Sequence, residues 1–414
     1  METERIALIT SGYFPVPATL GGAVEALDEN LVYQNEVEGN VKFVVFSCYE
    51  NNAEKISQHY KNTTVKFIKT PYAIRILDKA IYYLAKNVLR KQKSLSYRYI
   101  VQRLFFLRKV AKDLRDNDYD KVLLENHSTL FLTLKFFDNY KKYKSRYYYH
   151  LHNVVTKDYG CIKIIAGCRK ILGVSDYINS TLKQFLGDGI LNPQYCVLRN
   201  KIDRSKFAIS LSYDKKNKIR EKFGLQNNDK VVLFTGRFSE EKGIRELLTA
   251  FKNIKDQTVK LLVVGSYYFG SGMQSSFEKE MKTLVEEMKR RIIFTGFINY
   301  EEIPQVYAIA DVVVIPSMWN DPAPLTVIES LTAGKALITT YSGGIPEYAE
   351  GASIILKRDE NLIENLTVSI IRVLQDSNLK KKLEEKAMKR SADWSLENYY
   401  SDFIDKLDIG ETKQ

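Results

Sequence analysis

Two carboxylates and two cations hold most of the chemistry legible in this chain. Asp321 stands in a Pro-rich loop, and Glu329 follows eight positions later in a stretch of helical pattern. Gly343-Gly344-Ile345-Pro346-Glu347 adds a glycine turn and a third acid. Further upstream, Arg237 and Lys242 bracket Phe238-Ser239-Glu240-Glu241, directly after the apolar run 231–235. Two cations at the carboxyl end of a strand suit a diphosphate, which needs charge-assisted donors as it becomes a leaving group. A solvated loop of mixed charge is the alternative, because two glutamates lie between them. Glu329, one turn inside its helix, can accept hydrogen bonds from two vicinal hydroxyls, or pair locally on a solvated face. Eight helical residues span about 12 Å, so Asp321 and Glu329 are expected to do separate jobs. Pro322 and Pro324 end the loop and pre-set a helix over 325–333, closed by Gly334. The first amides of that helix, at Leu325 and Thr326, then face an anionic group.

Near the start, Gly21-Gly22 opens a second helical stretch. A glycine pair there lets backbone approach a phosphate or sugar closely, although a plain tight turn would look the same. His150 and His152 end the run 146–152, and strand alternation puts them on one face. The spacing is compatible with zinc, but no nearby third or fourth ligand supports a metal site, so no metal is expected. His150 reads as a hydrogen-bonded core residue. His152, at the strand tip, reads as a ligand contact. His127 also follows a strand-like run, 121–124.

These residues need elements to hold them. Both halves alternate short apolar runs with helical patterns, which is the mark of parallel α/β layers. The runs fall at 5–10, 41–48, 121–124, 146–151 and 171–174, then at 231–235, 260–264, 292–295, 312–315 and 336–340. Near-continuous runs such as VVLF, LLVV and VVVI predict strands covered on both faces. A chain of 414 residues exceeds one ordinary core. We expect one domain over 1–204, a second over 205–390, and a helix over 391–414 that begins near Ser395 and returns to the first domain.

The net charge is +12. Residues 1–200 hold 30 Lys/Arg against 19 Asp/Glu, and residues 201–414 hold 32 against 31. Within the first half, residues 75–112 contribute 11 basic residues and a single acid, Asp78. Tyr82, Tyr83, Leu84, Leu89, Tyr97, Tyr99, Phe105 and Phe106 are interleaved with them. Such a basic, aromatic-rich stretch suits an anionic membrane surface, or is a pair of helices whose apolar residues face a core. No apolar run is long enough to span a bilayer, and the N-terminus enters a strand pattern without a leader. The four Cys form no CxxC pair and read as reduced thiols. A cytoplasmic protein, peripheral on the inner face of the plasma membrane, is expected. The sequence pI of about 9.1 allows a nucleic-acid partner, but no nucleic-acid module is present and none is expected.

Taken together, GRFSEEKG, DPAPLTVIE, GGIPE, GGAVE, HLHN and the terminal DWSLENY run in order over nearly the whole chain. In this the chain resembles the retaining nucleotide-sugar glycosyltransferases of the GT-B fold, family four. The resemblance implies two Rossmann-like domains facing across a cleft and a sugar transfer with retention. It implies that Arg237 and Lys242 hold the donor diphosphate and that Glu329 binds the ribose hydroxyls. Asp321 and His152 match the acid and the histidine at the transferred sugar. Gly21 and Gly22 match the loop approaching the donor phosphate. Pro324, Leu325 and Thr326 match the amides on the donor, and Phe297 and Ile298 the place of the base. No cofactor or metal is implied. The partners would be a nucleotide sugar, with UDP favoured on family grounds, and a saccharide or lipid-linked acceptor in surface polysaccharide assembly. A sugar-nucleotide epimerase or hydrolase of the same fold is the alternative. The family usually has Glu where Asp321 stands, and Phe-Gly where Ala323-Pro324 stand.

Overall fold

The computed structural model describes residues 3–88, 99–187, 193–265, 276–296 and 298–410. The chain divides into two compact units, residues 1–199 with 399–414, and residues 200–398. Each is built on an open parallel sheet with helices between successive strands, and neither sheet closes into a barrel.

In the first unit the strands are β1 (Arg5–Ile9), β2 (Lys42–Cys48), β3 (Thr63–Ile68), β4 (Lys121–Glu125), β5 (Tyr147–Leu151), β6 (Lys170–Gly173) and β7 (Gln194–Val197). Their order is β3-β2-β1-β4-β5-β6-β7. In the second unit β8 (Lys230–Thr235), β9 (Val259–Val264), β10 (Ile292–Gly296), β11 (Val312–Ile315), β12 (Leu337–Thr340) and β13 (Ile354–Leu356) follow the order β10-β9-β8-β11-β12-β13. Both sheets therefore start in the middle, grow to one side, return, and grow to the other.

The apolar runs are explained by what the second sheet buries. Val231, Leu233, Leu262, Val313 and Ile315 belong to one hydrophobic cluster, and Val232, Phe234, Leu261, Val312 and Val314 to another. Neighbouring residues of one strand thus point into opposite cores, and both faces must be apolar. A half-exposed sheet would have shown alternation instead.

The chain re-enters the first unit within its last helix, Leu396–Lys406. Ser395 Oγ accepts the Asn398 amide at 3.2 Å and starts that helix. Tyr399, Tyr400, Phe403 and Leu407 are fully buried. Tyr400 donates to Asn35 Oδ1 at 2.6 Å, and Phe403 meets Phe43 with ring centroids 6.1 Å apart. Asp408 then pairs with Arg169 and Lys170.

Candidate active site

Three loops meet at the middle of the second sheet. β8 is the first strand of its unit and has β9 on one side and β11 on the other, so the strand order switches there. Open α/β sheets bind ligands outside the carboxyl ends of their strands at such a point. The loop after β8 carries Arg237 and Lys242, the loop after β11 carries Asp321, and the loop after β12 carries Gly343 and Gly344.

Glycine lets these loops touch. Gly243 has φ +72°, and a Cβ there would lie 1.8 Å from the Pro316 carbonyl oxygen. Gly343 has φ +54°, and its Cβ would lie 2.3 Å from the Asp321 carbonyl oxygen. Main-chain bonds then tie the loops together. The Met318 amide donates to Glu241 O at 2.9 Å, and the Gly344 amide to Asp321 O at 2.9 Å. Ser342 Oγ donates to Trp319 O, and Thr340 Oγ1 to Ser317 O at 2.6 Å.

The expected site residues of this unit take the following places. Lys242 Nζ donates to Asp321 Oδ2 at 2.6 Å, in a pair whose side chains are 20% and 9% exposed. Trp319 Nε1 donates to the same oxygen at 3.2 Å. Arg237 lies on the surface, with Glu241 Oε2 at 3.6 Å. The helix predicted over 325–333 runs Leu325–Thr332, with Gly334 beyond it at φ +64°. Pro324 is its N-cap, at φ −68° and ψ 124°, rather than part of its first turn, and no side chain caps that end. Ile298 is half-buried against the hydrophobic cluster of its unit. Phe297 lies outside the described residues.

Glu329 does not sit on a solvated face. It is buried and accepts the Tyr307 hydroxyl on Oε2 at 2.9 Å. Tyr307 also stands 2.9 Å from Thr235 Oγ1, so a Tyr307 proton given to Glu329 leaves Thr235 to donate to Tyr307. Burial pushes the Glu329 carboxyl up to about 7, a rise that the hydroxyls of Tyr307 and Tyr300 only partly offset. A group in this state gains most from new hydrogen-bond donors, because they favour its charged form.

In the first unit Gly21 and Gly22 precede the Ala23–Glu38 helix, with φ +79° and +106°. The space beside the Gly21 Cα is open, whereas a Cβ on Gly22 would strike Glu25. His150 and His152 share a face as alternation requires, with ring centroids 4.1 Å apart, and both are buried. The expectation that no third ligand lies near them is overturned. The β4–β5 register sets Glu125 opposite His150, and its Oε2 is 3.0 Å from His150 Nδ1 and 3.4 Å from His152 Nε2. His152 Nε2 is also 3.2 Å from His150 Nδ1. Burial opposes the Glu125 charge, but the two imidazoles outweigh it and hold the carboxyl well below its ordinary range. Burial and the neighbouring His150 push His152 down to about 4. Asp28, fully buried beside Glu125, is held well above its ordinary value by burial and by the charges of Glu125 and Glu25.

Glu125, Asp28, Trp319 and Tyr307 are the residues that motif reading misses. The first is visible only once the strand register is known. Tyr307 lies in a buried helix, Ile303–Ile309, whose apolar pattern reads as core alone.

The basic segment splits in two. Residues 89–98 lie outside the described residues. The Ile100–Asp116 helix buries Phe106, Leu107, Val110, Ala111 and Leu114, as an ordinary core helix does. The Tyr72–Tyr83 helix buries only Asp78 and leaves Tyr72, Ile76, Leu77 and Tyr83 at least half exposed. Among the described residues no helix is long and apolar enough to cross a membrane.

Comparison with known proteins finds a family match within the second unit. Residues 215–390 match the model for "Glycosyl transferases group 1". Spore coat protein SA of Bacillus subtilis is 25% identical over 84% of this chain and 83% of its own. The lipopolysaccharide 1,2-N-acetylglucosaminetransferase of Salmonella typhimurium is 31% identical, over 31% of this chain and 35% of its own. Among solved structures, Anabaena HepE in complex with UDP superposes with a TM-score of 0.71 at 17% identity, over 98% of this chain and 99% of that one. That likeness shows the fold, GT-B, with two Rossmann-like units in one chain. The group 1 glycosyl transferase match thus falls on residues 215–390, in the second unit, and the solved structures give the whole chain the GT-B fold.

Proposed function

We propose that the protein transfers a hexosyl or N-acetylhexosaminyl group from a nucleoside diphosphate sugar to a saccharide or lipid-linked acceptor, with retention at the anomeric carbon. The observation that carries this reading is the pairing of buried Glu329 with the uncapped start of its own helix. The Leu325 amide and Glu329 are four residues apart, a rise of about 6 Å. A nucleoside diphosphate holds its diol and its phosphates at two ends of one ribose, a separation of the same order. Glu329 accepts the diol, and the amides of Leu325 and Thr326 take the phosphate. The UDP bound by Anabaena HepE supports uridine as the base.

In the reaction the C1–O bond to the diphosphate breaks and a C1–O bond to the acceptor forms on the same face. The acceptor hydroxyl proton passes to the departing diphosphate. The protein's part is then electrostatic: Arg237, Lys242 and the helix-start amides stabilise the leaving group. Asp321 orients Lys242 in the second unit, and His152 is a sugar contact of the first. Gly21 and Gly22 let main chain approach the substrate. These cations make a metal unnecessary, and turnover in excess chelator should equal turnover without it.

The exposed apolar side of the Tyr72–Tyr83 helix, flanked by Arg75, Lys79 and Lys86, supports attachment to an anionic membrane at the cytoplasmic face. The names of the Salmonella and Bacillus relatives support a role in cell-surface glycoconjugates. The direct test is Lys242→Ala with a panel of nucleotide sugars and acceptors. Turnover near wild type would remove the leaving-group role.

A further inference from the structure

Within the first unit a cavity of about 550 Å³ opens at the carboxyl ends of β1, β2 and β3, against the Tyr72–Tyr83 and Ile100–Asp116 helices. Tyr13, Tyr49, Tyr99 and Phe106 supply aromatic walls, and Arg75 and Arg103 supply positive charge. Gly12 keeps one wall close, since a Cβ there would lie 2.8 Å from the Phe106 ring.

Arg103 is the unusual member. It is 8% exposed, yet its hydrogen-bond partners among the described residues are neutral. Nη1 donates to Ser11 O, while Nε and Nη2 donate to Thr129 Oγ1 at 3.1 and 2.6 Å. The guanidinium carbon stands 4.7 Å from the Tyr13 ring centroid and 5.8 Å from that of Phe106. Among the described residues no carboxylate pairs with it. Residues 79–112 contain no acid at all. Asp78, the acid just before them, accepts the Val101 and Gln102 amides, both at 2.9 Å, and is committed to the start of the Ile100–Asp116 helix. Burial lowers the Arg103 pKa to about 10, opposed only by the phenols of Tyr13 and Tyr159. Nearby His127 is driven down to about 4 by burial and by Arg103, so it adds no second charge at neutral pH. A buried cation without a counter-charge is costly, and the ordinary remedy is a partner of opposite sign.

We propose that the missing partner is an anionic ligand group: this cavity binds the phosphate or diphosphate of the acceptor, with Arg103 as the inner cation, Arg75 at the rim, and the aromatic walls against the attached ring or chain. Calling the ligand an acceptor rests on the glycosyltransferase reading above. The anion site rests on the cavity and its unpaired arginine.

The test is calorimetric titration of the full chain at fixed salt with saturating UDP present, using farnesyl phosphate, farnesol, glucose 1-phosphate and glucose. At least one phosphorylated probe should bind tenfold or more tightly than its neutral partner. A preference for farnesyl phosphate assigns the anion to a lipid carrier, and a preference for glucose 1-phosphate to a soluble sugar phosphate. Arg103→Gln should abolish the charged-over-neutral preference, and the exposed Arg75→Gln, which leaves the core intact, should reduce it about threefold or more. Equal binding of charged and neutral probes, displacement of the probe by UDP, or an unchanged preference in Arg75→Gln and a folded Arg103→Gln would each overturn the proposal. Failure of UDP to bind the wild-type chain would instead count against the donor reading, while the comparison of charged and neutral probes would still be read.

Discussion

Replacing Glu329 with glutamine should make the second unit more stable at pH 8 than at pH 5, relative to wild type. The carboxyl is fully enclosed and titrates near 7 rather than at its ordinary 4.5. Between those two values the native chain keeps a proton that the unfolded chain has released, so wild-type stability falls as pH rises. Each pH unit of that difference is about 1.4 kcal/mol, giving a loss of about 3 kcal/mol by pH 8. Glutamine has the same shape and no titration, and its own packing cost is the same at every pH. The quantity to read is therefore the gap between the two melting curves across pH, not either curve alone. About 2.5 kcal/mol of that loss falls between pH 5 and pH 8, and for a unit of this size about 1 kcal/mol moves Tm by roughly 2–4 °C, so the gap should change by about 5–10 °C over that range. The same variant should lose most of its affinity for a nucleotide sugar at pH 8, where the wild-type carboxylate is charged and free to accept a diol. A gap that stays flat from pH 5 to pH 8 would show that Glu329 titrates normally and that its enclosure is not what readies it for ligand.

Other substitutions probe the remaining parts. Lys242→Ala should lower kcat by about 10²–10³-fold in a coupled UDP-release assay, the usual effect of removing one preorganised charge donor. Gly243→Ala must push a methyl into the Pro316 carbonyl at a positive φ. It should cost about 2–4 kcal/mol in denaturant unfolding. Tyr400→Phe removes the buried bond to Asn35 and should cost about 1–2 kcal/mol, with first-unit probes reporting the loss. Flotation with anionic liposomes should carry the protein to the lipid layer and fail when Ile76 and Leu77 are both replaced by Ser; equal flotation of the two would dismiss the Tyr72–Tyr83 helix as the contact.

Much of the scaffold could be read before any coordinates. The central strands announce themselves because burial on two faces forces unbroken apolar runs, as in Val231 to Phe234. The runs miss β3, β7 and β13, and all three are edge strands. An edge strand is only half covered, so Lys66 in β3 and Gln194 in β7 interrupt the pattern. The loop motifs of the second unit were legible because their glycines are required by loop contacts. The partners of those motifs were not. Nothing in sequence spacing joins Lys242 to Asp321, 79 positions away, or Glu329 to Tyr307. The His150–His152 pair was placed on the correct face, but Glu125 reaches it through strand register, which depends on the whole sheet. The basic segment failed as a single unit because its two helices bury different amounts of themselves.

The stitching of the three loops bears on how such a site can change over time. Asp321 is held by its side chain to Lys242, by its carbonyl to Gly344, and by the close pass of Gly343. A change at this position therefore shifts two neighbouring loops with it, and its effect will not add simply to changes made there. Lengthening Asp321 to glutamate alone should give a poorly tuned enzyme, since the extra methylene has to be absorbed by a lysine and a glycine fitted to the shorter acid. Under the proposed function, an exchange of sugar preference with a relative should succeed only when this block of loops moves whole.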